Sequence, residues 1–160
     1  MSIFRRLVRR RSDGTFTQSF PDFVVDLLVQ LAEQLDEVVD SDSPDVQRLF
    51  PTAYPHDPEK DAGYQILARD ELVEGRRQAI ATVRRTAEQQ VLSEEELMDW
   101  MAVTNDLRLV IGTRLDVSED DPMLNSEDGD TPEAQLRQVY ELLGGVLNEI
   151  VDGLSKALPD

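Results

Sequence analysis

An arginine inside an apolar helical pattern is the strongest chemical signal in the sequence. The stretch NDLRLVIGTRLDVSEDD (105–121) places Arg108 directly after Leu107 and three residues before Ile111. At about 100° per residue, these three side chains fall on one arc of a helix. A guanidinium on a buried face stays charged and needs a carboxylate, ideally through two parallel hydrogen bonds. The pattern therefore predicts that Arg108 is at least half buried and forms an ion pair.

The predicted partner of Arg108 comes from the segment ARDEL (68–72). Arg69 lies on the apolar arc of a long predicted helix, and Asp70 lies at the edge of that arc. We therefore predict an ion-paired network of Arg69, Asp70 and Arg108, with Asp70 as the first partner of Arg108. Such a network either fixes the register of the helices or binds a small ligand, and the sequence leaves both interpretations open.

Other residue types that support catalysis or metal binding lack the partners they need. His56 is the only histidine, and the chain has no cysteine. The acidic residues show neither the spacing of a zinc site nor the order of an EF-hand. A single histidine in a stiff loop is a poor base for any serine, and no glycine-rich phosphate loop is present. We therefore expect no catalytic residue, no metal and no cofactor, and a protein that is not an enzyme.

The periodicity of apolar residues predicts which elements position these side chains. Residues 3–20 are expected to form a β-hairpin, because Asp13–Gly14 is a turn signal between two short extended runs. Beyond the hairpin, apolar residues recur at spacings of three and four, which is typical of helices. The predicted helices cover 21–39, 44–50, 58 to about 90, 93 to about 115, and 131–158.

These elements predict a mainly α fold, a bundle of about four to five helices with an N-terminal β-hairpin. We expect a single domain over 1–160, with a helical core formed by 21–117 and 131–158. Residues 118–130 are expected to form an acidic mobile loop, because they lack apolar periodicity. Capping signals mark four helix starts: Ser19, Asp57–Pro58, Ser93 with Glu96, and Thr131–Pro132.

The charge of the chain is strongly uneven. Its net charge is −17, but residues 1–11 carry five arginines and no acid, so the remainder carries −22. Because a body of this charge repels phosphate backbones, we expect no specific binding of duplex DNA. Only the N-terminal arginines could attract a nucleic acid or an anionic lipid.

Cellular context and assembly are inferred from composition and from the last helix. The absence of cysteine is consistent with a reducing cytoplasm. No apolar run approaches the ~18 residues needed to span a bilayer, so we expect no membrane partner. The apolar stripe of the last predicted helix continues to Leu154, longer than one small core needs. Because the hairpin also leaves strand edges to cover, we predict a homodimer.

Three motifs are LFPTAYPHDPE (49–59), YQILARDEL (64–72), and a tryptophan separated by four residues from NDLRLVIGTRLDVSEDD. Together they resemble an actinobacterial domain of unknown function, family number two thousand and seventeen. The resemblance covers nearly the whole chain. Thr104 stands where members often have alanine or leucine, and His56 where an acidic or polar residue is usual. The motif residues carried over, none with an assigned role, are Arg69, Asp70, Asn105, Asp106, Arg108, Arg114 and Asp116.

The resemblance implies little about activity. Family members have no established activity, and their genes tend to lie beside that of the adaptor feeding the Clp protease. We therefore expect a protein-interaction or regulatory protein whose protein partner is unknown. The tie to regulated proteolysis comes from the resemblance alone. The alternatives are a nucleic-acid-binding transcriptional regulator that uses the N-terminal arginines, and a small-ligand binder or enzyme built around Arg69, Asp70 and Arg108.

Overall fold

The N-terminal hairpin is present in the computed structural model, which describes residues 6–50, 52–119 and 131–156. Its strands are β1 (Val8–Arg10) and β2 (Phe16–Gln18), paired antiparallel. Gly14 closes the turn with a φ of 88°, a conformation that glycine adopts without a steric penalty. The carboxylate of Asp13 fixes the turn by accepting a hydrogen bond of 2.9 Å from the amide of Thr15. The predicted hairpin is therefore confirmed, although its residues 3–5 lie outside the described residues.

A third strand, β3 (Val91–Leu92), extends the hairpin to a sheet of order β1-β2-β3. The predicted helix that runs to about 90 is wrong at this end, because α2 stops at Thr86 and residues 87–90 form a turn and a bend that lead into β3. Leu92 is buried opposite Phe16. The side-chain amide of Gln18 also donates a 2.8 Å hydrogen bond to the carbonyl of Gln89.

Helices make up most of the described chain, which confirms a mainly α fold with an N-terminal hairpin. The acidic loop predicted over 118–130 is wrong for 118–119, which belong to the last α3 turn, and the rest lies outside the described residues. Residues 157–158 of the predicted last helix lie outside them too. The helices are α1 (Asp22–Val38), a 3₁₀ helix (Pro44–Leu49), α2 (Pro58–Thr86), α3 (Glu94–Glu119) and α4 (Pro132–Ser155).

Three of the four predicted caps are confirmed. The Asp57 and Thr131 side chains accept from backbone amides of α2 and α4, and Ser93 and Glu96 form a reciprocal capping box. The Ser19 cap is wrong, because α1 follows Pro21 and has no side-chain cap. The Ser19 amide instead donates to the carbonyl of Leu7 and continues the hairpin ladder.

The core is built around α3, which packs against α1, α2, α4 and the 3₁₀ helix. Trp100 is fully buried, and its indole nitrogen donates a 2.7 Å hydrogen bond to the hydroxyl of Thr86 on α2. At the other side, α4 closes on the hairpin: the amide of Leu7 donates to the carboxylate of Glu149 at 3.1 Å. A Cβ added at Gly153 would lie 2.6 Å from Cγ1 of Val8, so only glycine permits this approach. None of the helices in the described residues is long and apolar enough to cross a membrane.

Candidate functional site

Arg108 lies on the side of α3 that faces α4, and it forms no ion pair with any described residue. Its guanidinium carbon is 4.9 Å from the centre of the Tyr140 ring, and its Nη2 atom lies 3.4 Å from the Tyr140 hydroxyl. Its Nε atom is buried and has no hydrogen-bond partner among the residues that the structure describes. Gly144 of α4 also borders the guanidinium: a Cβ there would make an ordinary van der Waals contact with that nitrogen, at 3.6 Å. The ring face of Tyr140 therefore takes the place of the expected carboxylate.

The predicted pairing of Arg108 with Asp70 is wrong. Asp70 is exposed on α2, whereas Arg108 is partly buried against α4. The helical spacing correctly placed Arg108 on a buried side of α3, but it could not say which neighbouring element that side meets. Arg108 follows Asp106 by two residues, or about 200° around the helix, so the two side chains point to different neighbours.

Asp106 is the motif residue of α3 that pairs with α2; elsewhere along the same contact, Glu96 pairs with Arg85. The Oδ2 atom of Asp106 lies 3.2 Å from Nε of Arg76, although the angle between them does not give a hydrogen bond at Nε. Burial raises the pKa of the Asp106 carboxyl above its ordinary value, and the nearby Arg76 guanidinium offsets this only in part. Phe50 completes the cluster, with the Arg69 guanidinium carbon 4.5 Å and that of Arg76 5.2 Å from its ring centre.

Arg69 is anchored by the backbone rather than by an acid. Its Nη2 atom donates a 2.8 Å hydrogen bond to the carbonyl of Ser41. Because Asp70 points to solvent, the predicted network of Arg69, Asp70 and Arg108 does not form. Asn105, another motif residue, is exposed.

The last two motif residues join α3 to the 3₁₀ helix. Arg114 donates to Asp45 at 2.8 Å, and Arg48 forms a short ion pair with Asp116. The 3₁₀ helix and α3 thus each supply one acid and one arginine, and each arginine pairs with the acid of the other element. Both pairs are largely exposed, so each contributes about 1 kcal/mol at most to stability.

The motif residues therefore do not converge on one cavity: Asp70 and Asn105 are exposed, and Arg69 bonds to the Ser41 carbonyl. The other four, Asp106, Arg108, Arg114 and Asp116, lie where α2, α4 and the 3₁₀ helix pack against α3. In the part of the chain that the structure describes, no group of three histidine, aspartate or glutamate side chains could hold a metal ion. His56 is exposed in the loop before α2.

The feature that sequence reasoning missed is an apolar surface on the first half of α2. Ile66 is 77% exposed and Leu67 is 83% exposed, and the partly exposed ring of Tyr64 packs edge-on against Tyr54 with the ring centres 6.1 Å apart. We call this surface, formed by Tyr54, Tyr64, Ile66 and Leu67, the α2 face. No residue from 58 to 71 is fully buried. On a helical wheel of YQILARDEL, Leu67 lies about 140–160° away from Arg69 and Leu72, whereas Ile66 lies only about 60° from Arg69. The pattern therefore indicates the exposure of Leu67 but not that of Ile66.

Acidic side chains flank the α2 face along the same side of the helix. All four are exposed, and none forms an ion pair within the described residues: Glu59, Asp70, Glu71 and Glu74. Lys60 lies beside them with its ammonium 4.5 Å from the centre of the Tyr54 ring, and Arg77, one turn after Glu74, pairs instead with Asp36. The surface is therefore an apolar centre bordered by uncompensated negative charge.

Comparison with known proteins gives one match. The family model described as "Domain of unknown function (DUF2017)" matches residues 1–154. No curated protein and no solved structure matches the chain.

Proposed function

Because the chain belongs to the DUF2017 family, a domain of unknown function, we propose a function from its own surface: it is a non-catalytic protein-interaction protein that binds a partner through the α2 face. The observation that carries this proposal is the exposure of two adjacent large aliphatic side chains, Ile66 and Leu67. A single exposed leucine is ordinary, but neighbouring exposed apolar and aromatic residues mark interaction surfaces.

The energetics favour a docking role over a folding role for these side chains. Burial of a leucine or isoleucine contributes about 1.5–3 kcal/mol, and the fold gains little of this from Ile66 and Leu67. A partner that covers both side chains gains it instead. Their substitution by serine should therefore leave the fold intact while it weakens binding.

The cellular process, the location and the oligomeric state that we propose follow from the family resemblance and from composition. The gene neighbourhood of similar proteins supports a role in regulated proteolysis, with the partner among components of the Clp protease system. Such a role places the protein in the cytoplasm. The homodimer expected from the last helix belongs to the same proposal, with Val151 exposed on α4 as a candidate contact.

A second candidate function, a nucleic-acid-binding regulator, is favoured by one observation. The hairpin and α4 line an open depression of about 510 Å³ that contains Arg6, Arg9, Arg10 and Lys156. The three arginines form no ion pair with other described residues. Because the rest of the chain is strongly acidic, binding there would be weak and steeply dependent on salt.

Site-specific photo-cross-linking tests the proposed function. A benzophenone amino acid placed at Leu67 is expected to capture a partner in native lysate. Phe23, which is 66% exposed on α1, is the matched control position. A cross-linked species seen at 67 and absent at 23 supports the proposal, above all when it contains a Clp component. Equal capture at both positions, or none at 67, contradicts it.

A further inference from the structure

The α2 face has the dimensions of a helix-binding surface. Its side chains and their acidic neighbours extend from Glu59 to Glu74, about 22 Å along the helix axis. Backbone donors and acceptors of a helix are satisfied internally, so this surface offers side chains and no free strand edge. One turn before Ile66 and Leu67, Gly63 has nothing within 4 Å of where a Cβ would stand. An approaching helix can therefore place a side chain in this gap between neighbouring ridges.

The negative charge around the α2 face favours a partner whose own charge is positive. Asp70 and Glu71 follow Ile66 and Leu67 by one helical turn, Glu74 follows by two turns, and all three are exposed. A second copy docking by the same face would bring the uncompensated carboxylates of both copies together. Nucleic acids and anionic lipids are disfavoured for the same reason. A partner with cationic side chains around an apolar stripe removes the repulsion and covers the aliphatic centre.

We propose that the occupant of the α2 face is a cationic amphipathic helix of about four turns, presented by another protein. This inference rests on the proposed function and adds the chemical class of the partner. The apolar stripe of the partner packs on Ile66 and Leu67, and its lysine or arginine side chains reach Asp70, Glu71 and Glu74. Recognition of this kind combines helix packing with electrostatic steering.

Binding of designed probe peptides to the full chain tests the inference. The probe is a fluorescent 16-residue helix with leucines on one face and lysines on the other. One control peptide carries glutamate in place of lysine, and a second disperses the same leucines around the helix. Fluorescence anisotropy at physiological salt is expected to show binding of the lysine peptide alone. Equal binding of the lysine and glutamate peptides, or binding of neither, overturns the proposal.

Matched variants separate a defined site from general attraction to an acidic protein. Neutralising the face (Asp70→Asn, Glu71→Gln, Glu74→Gln) is expected to weaken binding of the lysine peptide about tenfold, as is Ile66→Ser with Leu67→Ser. The charge control is Asp26→Asn, Glu88→Gln, Glu141→Gln, three exposed acids elsewhere that form no ion pair with described residues. It is expected to change binding less than threefold. Equal losses in the two charge variants contradict the proposal.

Two further readouts distinguish the remaining outcomes. A dimer in light scattering that dissociates in the Leu67→Ser variant identifies a second copy as the occupant and overturns the proposal. Mass spectrometry of the species captured at position 67 gives the sequence of the bound segment. A neutral or acidic segment overturns the inference while the proposed function stands. Failure of capture at that position removes the proposed function itself.

Discussion

Arg76 and Asp106 form an ion pair across the interface of α2 and α3, with side chains only 21% and 13% exposed. The pair lies where the exposed first half of α2 passes into its buried second half, which begins at Val73. The ion pair therefore fixes the point along α2 at which the exposed part of the helix, which carries the α2 face, meets the part that packs against the core.

Removing one partner of this ion pair should destabilise the fold. Arg76→Met leaves the Asp106 carboxylate buried and unpaired, and we expect a loss of about 3 kcal/mol in the free energy of unfolding. Adding Asp106→Leu should recover most of that loss, because an apolar pair needs no charge compensation. Urea denaturation measures both. Arg108→Met is the control, expected to cost about 1 kcal/mol since it leaves no carboxylate unpaired. A larger loss for Arg108→Met than for Arg76→Met would refute this assignment.

The raised pKa of Asp106 predicts an unusual dependence of stability on pH. In the window between the ordinary value of 3.8 and the raised value, the folded state binds more protons at this residue than the unfolded state does. The contribution of Asp106 to stability is therefore fully present below 3.8 and is lost as the pH rises through the raised pKa. Unfolding of the wild type and of Asp106→Asn should be compared from acidic to neutral pH. The wild type should lose stability relative to the variant as pH rises, and a trend of opposite sign would exclude a raised pKa.

The hydrogen bond between Trp100 and Thr86 should contribute measurably to stability. Thr86→Val keeps the shape of the side chain but leaves the buried indole N–H without an acceptor, which costs about 1–3 kcal/mol. The same substitution in a Trp100→Phe background removes no such bond and should cost less than half as much. A double-mutant cycle from urea denaturation gives the coupling between the two residues. Additive effects would show that the bond contributes nothing.

Two glycines in α4 should respond in opposite directions to alanine. Gly145→Ala meets nothing within 4 Å and should stabilise the helix by about 0.5–1 kcal/mol. Gly153→Ala places a Cβ against Val8 and should destabilise by about 1–3 kcal/mol despite the better helix propensity. Thermal unfolding of the two variants checks the contrast. Stabilisation by both would mean that α4 does not pack closely on β1.

The acidic body of the chain predicts that duplex DNA is not bound specifically. The N-terminal arginines are too few to overcome −22 over the rest of the chain. Fluorescence anisotropy with random-sequence duplexes should show weak binding that disappears as the salt concentration rises from about 50 to about 200 mM. Nanomolar binding of one DNA sequence at physiological salt would contradict this prediction and favour the second candidate function, a nucleic-acid-binding regulator.

The parts of the fold that were predictable are those with local chemical signals. Asp13–Gly14, Asp57, Thr131 and the Ser93–Glu96 box each act within a few residues, so the pattern alone locates the turn and three helix starts. β3 was not predictable, because a two-residue strand has no period and is held only by its contacts with β2.

The candidate site was less predictable, because its partners are set by helix packing. Arg108 was correctly expected to be partly buried, but only the rotation of α3 decides that it meets Tyr140. Arg76 could have been found, since it lies seven residues, or about two turns, after Arg69. Ile66 and Leu67 were hidden by their own apolar character, which ordinarily indicates burial within the same chain.

The contact between the hairpin and α4 also sets the order in which the protein can mature during synthesis. The Leu7 amide and the Glu149 carboxylate that join them are 142 residues apart in the chain. At 5–20 residues per second, the ribosome delivers the second group roughly 7–30 s after the first. Throughout that interval β1 lacks the helix that covers Val8, so its apolar residues are open to chaperones and to other nascent chains. The rate of translation between residues 7 and 149 therefore governs how long this protein is vulnerable to misassembly.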